Sequence, residues 1–101
     1  MLLTSSARRV ASEIQAHIQQ CGGDFASWYG GIASDPRTRL FVDHSVDEKT
    51  GAWIFRNAGS DLIAREVENY LLSMGCKGGD GGGGPTTRFV YAYRITRTTR
   101  E

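Results

Sequence analysis

The segment Trp28-Tyr29-Gly30-Gly31-Ile32-Ala33-Ser34-Asp35-Pro36-Arg37-Thr38-Arg39-Leu40 constrains the fold of this chain more than any other. It belongs to an apolar, aromatic run of high strand propensity that begins at Phe25. Paired glycines inside or at the end of a strand point to a bulge, to close approach of another backbone, or to a turn. Ser34-Asp35-Pro36 then reads as a helix start. The Asp35 carboxylate can accept from the free amides of a first helical turn. Pro36 suits the first helical position, where its missing N–H costs nothing. The segment therefore predicts a strand over 25–33, a tight turn, and a short helix over about 36–44. That order carries Tyr29 and Arg39 to the same side of the molecule.

On the short helix, Leu40, Phe41 and His44 share one face with Arg37, at about 100° per residue. Arg39 and Asp43 share another, where they can form an exposed ion pair worth a few tenths of a kcal/mol. Upstream, residues 5–21 read as an amphipathic helix with Val10, Ile14, Ile18 and Cys21 in one stripe. Ser5 or Ser6 caps it, and Gly22-Gly23 stops it. His17, beside the stripe, reads as a packed residue rather than a ligand. Residues 52–57 form a second strand. Ser60 or Asp61 caps a long helix whose apolar face is Ile63, Val67, Tyr70, Leu71 and Met74, and Gly75 closes it. Glu66 and Glu68 lie on opposite flanks of that face. In the third strand, 87–96, Phe89, Tyr91, Tyr93 and Ile95 alternate with Arg88, Val90, Ala92 and Arg94. Residues 77–85 are glycine-rich but lack the Gly-Lys-Ser/Thr of a P-loop, so they read as a flexible connection. Residues 97–101 form a basic tail that is expected to fray.

Tyr29-Gly30-Gly31, the arginine eight residues past Gly31 at Arg39, and the run Ala64-Arg65-Glu66-Val67-Glu68-Asn69-Tyr70-Leu71-Leu72 together resemble the GIY-YIG nuclease family over residues 27–76. In that family one strand carries a Tyr-Ile-Gly-like triplet followed by a helical arginine. A later helix presents a glutamate to a single divalent metal. The resemblance implies an α+β domain spanning 1–101, with a small, mostly antiparallel three-stranded sheet and about three helices packed around it. It implies a DNA endonuclease that uses Mg2+ or Mn2+, with Tyr29 and Arg39 catalytic and Glu68 as metal ligand, Glu66 being the alternative.

The sequence departs from that pattern in three places. The family opens with a Gly-Ile-Tyr-like strand that makes a hairpin with the triplet strand, and no such strand precedes Phe25. Phe89-Val90-Tyr91-Ala92-Tyr93 is expected to take its place, with Tyr91 or Tyr93 standing where the family's first tyrosine stands. Many members carry a histidine or tyrosine four residues past the arginine, whereas His44 lies five past Arg39. In an α-helix that spacing rotates His44 about 140° from Arg39, toward the core. Lastly, Gly30 replaces an apolar residue of the triplet.

A chain of 101 residues has the size of one domain. Its formal charge of +1 gives no global attraction to nucleic acid, so DNA contact requires a local patch. Arg37, Arg88, Arg94 and Arg97, with Arg100, are the candidates. Two cysteines, Cys21 and Cys76, without metal-ligand spacing read as reduced thiols of a cytoplasmic protein. No apolar run is long enough to span a membrane. Nucleases usually gain target choice from an added binding domain. The alternatives are therefore reliance on a protein partner or homo-oligomer, or a non-catalytic module on the same scaffold that binds nucleic acid or protein.

Overall fold

The computed structural model describes residues 3–79 and 84–101; the centre of the glycine-rich segment, 80–83, lies outside the described residues. Helix α1 (Ser5–Gln20) is capped by Thr4, one residue before the serines expected, with Thr4 Oγ1 accepting from the Ala7 amide. It buries Ala7, Ala11, Ile14 and Ile18, while Val10 and Cys21 stay half-buried at the edge of the stripe. A 3-10 turn, Phe25–Ser27, replaces the predicted start of the first strand. Asp24 causes it, accepting from the Ala26 amide and the Ser27 hydroxyl.

Strand β1 (Trp28–Ala33) leads to helix α2 (Pro36–Thr38), where Asp35 caps by accepting from Thr38 and Pro36 opens the first turn as its fixed φ allows. The chain then continues directly into a π-helical turn, Arg39–Asp43. Strand β2 (Trp53–Asn57) precedes α3 (Asp61–Ser73), whose cap Ser60 accepts from the Ile63 amide. Gly75 ends α3 at φ 115°, a left-handed angle that glycine adopts without a Cβ penalty. Strand β3 (Phe89–Arg94) completes the sheet.

Among the described residues the sheet is three-stranded and antiparallel, in the order β1-β3-β2. The last strand in sequence thus lies between the other two. Tyr29 pairs with Tyr93 and Gly31 with Tyr91 in an unbroken register, so the glycine pair makes no bulge. On the outer edge of β1, Lys77 adds a single parallel bridge, exchanging 2.8 Å backbone bonds with Trp28 and Gly30.

Strand alternation splits the apolar side chains into two cores. Trp28, Ile32, Ile54, Val90 and Ala92 face α1 and α3. Tyr29, Ala33, Tyr91 and Tyr93 face the other way, onto Leu40 of the π turn and Val46. Phe41, Trp53 and Phe55 close the rim of this second core. Trp28 in the first core and Tyr91 and Tyr93 in the second are among the largest fully buried side chains, each worth roughly 1.5–3 kcal/mol of burial. The molecule is a small α+β fold with α1 and α3 on one face of the sheet and the α2 segment on the other.

Candidate active site

The second core is built of phenols. Cross-strand pairing sets the Tyr29 and Tyr93 rings 5.3 Å apart and nearly parallel, and Tyr91 lies 6.4 Å from Tyr29. Gly31 leaves the space that the Tyr91 ring occupies. A Cβ there would stand 2.5 Å from Tyr91 Oη and 2.6 Å from Cζ. A short run of sequence, Tyr29-Gly30-Gly31, therefore supplies one ring and makes room for another.

His44 enters this cluster because of the π turn. Its amide donates to the Arg39 carbonyl at 2.9 Å, five residues back. In an α-helix the acceptor would be four residues back. The wider turn absorbs one residue and sets His44 one turn beyond Arg39, so the rotation expected from α-helical geometry does not occur. The imidazole is only 4% exposed and packs 4.7 Å from the Tyr29 ring. Its Nε2 lies 2.8 Å from the Tyr91 hydroxyl, and its Nδ1 is 2.6 Å from the Arg100 carbonyl. Tyr93 also donates to that carbonyl, at 3.1 Å.

Burial dominates the electrostatics. It lowers the His44 pKa below the usual imidazole value, opposed by the hydrogen bond to Arg100, while the Arg39 charge lowers it further. Burial raises the Tyr91 phenol to about 12, and the neighbouring Arg39 guanidinium opposes that rise. Tyr93 is raised as well, again chiefly by burial. These phenols are therefore held neutral unless a cation or a base acts on them.

Arg39 stands at the solvent side, exposed, with Nη1 3.4 Å from Asp43 Oδ2. That pair is weak enough to yield to a better anion. Glu68 is its buried counterpart on α3, only 6% exposed. Desolvation raises its pKa, with Arg65 opposing, and its charge acts on the Tyr91 phenol. No described residue gives its carboxylate a hydrogen bond or a salt bridge.

The structure brings Tyr29, Arg39, His44, Tyr91 and Tyr93 together, with Glu68 in electrostatic reach of Tyr91. It does not bring Glu66 there. That carboxylate turns to α1, accepting from the Thr4 amide at 2.7 Å and the Thr4 hydroxyl at 3.2 Å.

Nor do the arginines form one patch. Arg37 pairs with Glu48 and lies over the Phe41 ring. Arg94 donates to the Cys21 carbonyl at 2.5 Å, at the end of α1. Arg88 and Arg94 flank opposite ends of β3, about 20 Å apart at the usual strand rise. Arg97 is exposed. The tail is not frayed, because Arg100 is bonded to His44. A cleft of about 290 Å³ between α1 and β2, lined by Arg9, Glu13, Arg56 and Asn57, shares no residue with the phenol cluster.

Two participants escaped the sequence reading. One is the Arg100 peptide; its only forewarning is the threonine-rich stretch before it, of the kind that folds into side-chain-capped turns. The other is Gly79, where a Cβ would meet the Tyr29 hydroxyl at 2.9 Å, which starts the glycine-rich segment beside that phenol.

Among the described residues no three His, Cys, Asp or Glu side chains gather to hold a metal. Among the described residues Glu68 is the buried carboxylate that could hold a divalent ion here. A desolvated carboxylate that receives no hydrogen bond or salt bridge from a described residue, with only the Arg65 charge acting on it, would suit Mg2+, which keeps several waters and often takes only one or two carboxylates. Comparison with known proteins finds no matching family model, no similar curated protein and no similar solved structure.

Proposed function

We propose that this chain hydrolyses phosphodiester bonds in DNA as a Mg2+-dependent endonuclease of the GIY-YIG type. One observation carries the reading: Tyr29, Arg39, His44 and Tyr91 converge from three segments on one side of the sheet, with the buried carboxylate of Glu68 acting on Tyr91. Two departures of the sequence become intelligible on this reading. Phe89–Arg94 pairs antiparallel with Trp28–Ala33, as the family's opening strand would. The π turn compensates for the extra residue between Arg39 and His44.

Each group has a task suited to its surroundings. Arg39 is exposed and loosely held, so it can leave Asp43 and donate to a phosphate whose charge grows in the transition state. Tyr29, at 8% exposure the least buried of the three phenols, would take a proton from an attacking water. Tyr91 Oη lies 2.8 Å from His44 Nε2, so the pair can relay a proton away from the site. Tyr93 is sealed from solvent and serves to orient His44. Glu68 would hold Mg2+, which supplies Lewis-acid polarisation of the phosphate when bound.

The competing reading is a non-catalytic module on the same scaffold that binds nucleic acid or a protein partner. The near-complete burial of Tyr91, at 1% exposure, favours it. Plasmid nicking with and without Mg2+ separates the two. Cleavage should require the metal and fall about a hundredfold or more in Arg39→Ala and Glu68→Gln. Cleavage indifferent to both substitutions removes the assigned roles. Salt-sensitive DNA binding without nicking replaces the enzyme with the module.

A further inference from the structure

Residues 96–101 lie across the His44 side of the phenol cluster. Thr99 Oγ1 accepts from the Thr96 amide at 2.9 Å and donates to the Thr96 carbonyl at 3.1 Å, which bends the segment back. Arg100 then meets His44 twice through its main chain. Its amide donates to the His44 carbonyl at 2.7 Å, and its carbonyl lies 2.6 Å from His44 Nδ1. Its Nε donates to Ser45 Oγ at 3.2 Å. Ser45 sits at φ 57°, a left-handed angle uncommon outside glycine, so the contact pins a strained residue right after the histidine.

A carbonyl oxygen has no proton to give. The proton between Arg100 O and Nδ1 therefore belongs to the ring, and the Tyr93 hydroxyl, 3.0 Å from Nδ1, gives its own proton to the same carbonyl at 3.1 Å rather than to the ring. In a neutral imidazole Nε2 is then a bare lone pair, and the Tyr91 hydroxyl 2.8 Å away must be the donor. We propose that the Arg100 peptide group is a positioning group of this site, holding His44 in the Nδ1–H tautomer so that Nε2 faces Tyr91 as a proton acceptor. When Tyr91 ionises, its O–H bond breaks and the proton bonds to Nε2. The products are a phenolate and an imidazolium whose Nδ1–H stays on Arg100. The reverse transfer restores both neutral groups. The catalytic consequence rests on the phosphodiester reading; the tautomer does not.

The test is 15N NMR of the full chain at mildly alkaline pH. Nδ1 of His44 should show a pyrrole-like shift and Nε2 a pyridine-like shift. Arg100→Ala, which keeps the peptide group, should preserve that assignment. Deletion of residues 96–101 should exchange or average the two shifts. If the deletion unfolds the chain, Arg100→Pro, which removes the amide donor to His44, should show the same loss in a folded protein. A proton on Nε2 in the wild type overturns the proposal. So does an unchanged Nδ1–H tautomer in a folded chain lacking the segment. A wild type that shows the expected tautomer but does not nick DNA leaves the positioning role standing and removes the nuclease.

Discussion

At Gly31 a backbone and an aromatic ring compete for the same volume. A Cβ would stand 2.5 Å from Tyr91 Oη, 2.6 Å from Cζ and 3.0 Å from Cε2, all parts of a rigid ring. At Gly30 the nearest atom is Leu71 Cδ1 at 3.3 Å, the tip of a flexible side chain. Removing a glycine from a strand interior gains about 0.5–1 kcal/mol of conformational entropy. Overpacking a well-filled core costs about 1–3 kcal/mol. The clash wins at Gly31 and nearly cancels the gain at Gly30. Gly31→Ala should therefore lower stability by about 1–2 kcal/mol in urea titration and displace Tyr91 from His44. Gly30→Ala should change stability by less than about 1 kcal/mol. Equal costs at the two positions would mean that the Tyr91 ring does not fill the space above Gly31.

At the scale of elements, two devices join pieces far apart in the chain. One is the π turn; the other is the bond from Glu66 on α3 to Thr4 at the start of α1. A carboxylate on a helix cap satisfies an amide otherwise without a partner and favours the positive end of the helix dipole. Glu66→Ala should cost about 1 kcal/mol, read as a drop in Tm of several degrees, and should leave the phenol cluster intact. A larger effect on the tyrosines than on α1 would refute the separation of roles. The sequence made the local elements legible where local chemistry sets them. Asp35-Pro36 opens α2, Ser60 and Gly75 bound α3, and the alternation of Phe89, Tyr91 and Tyr93 marks β3. It did not disclose the π turn, because inserting one residue into a helical turn needs no special residue type. It did not disclose the partner of Glu66 or the closing role of the tail either. Both depend on contacts over more than fifty residues, which no local pattern encodes.

For the molecule as a whole, two buried ionisable groups pull the pH dependence of stability in opposite directions. His44 has a folded pKa below its ordinary 6.5, through burial. Its neutral form favours the fold, so its contribution is complete above about pH 6.5 and is lost as pH falls toward the folded value. Glu68 has a folded pKa above its ordinary 4.5, also through burial. It imposes no penalty below about pH 4.5, and stability is lost as pH rises through its folded value. Between those limits rising pH strengthens the His44 term and weakens the Glu68 term. His17, also lowered by burial and by Arg56, adds to the first slope but is common to every variant compared. Asp35 and Asp47 are lowered by the amides and hydroxyls they cap, and their contributions are lost below about pH 4, outside this window. Neither His44 nor Glu68 is a cause of the other's shift, so each single substitution reports its own slope, although both groups bear on Tyr91. Urea titrations from about pH 4.5 to 6.5 should then tilt in opposite senses. Glu68→Gln should be more stable than the wild type near neutrality and gain stability more steeply as pH rises. His44→Gln should lose that upward slope. Parallel curves for the two variants would show that the carboxylate and the imidazole are not held apart from water as described, and with that the charge balance of the site would fail.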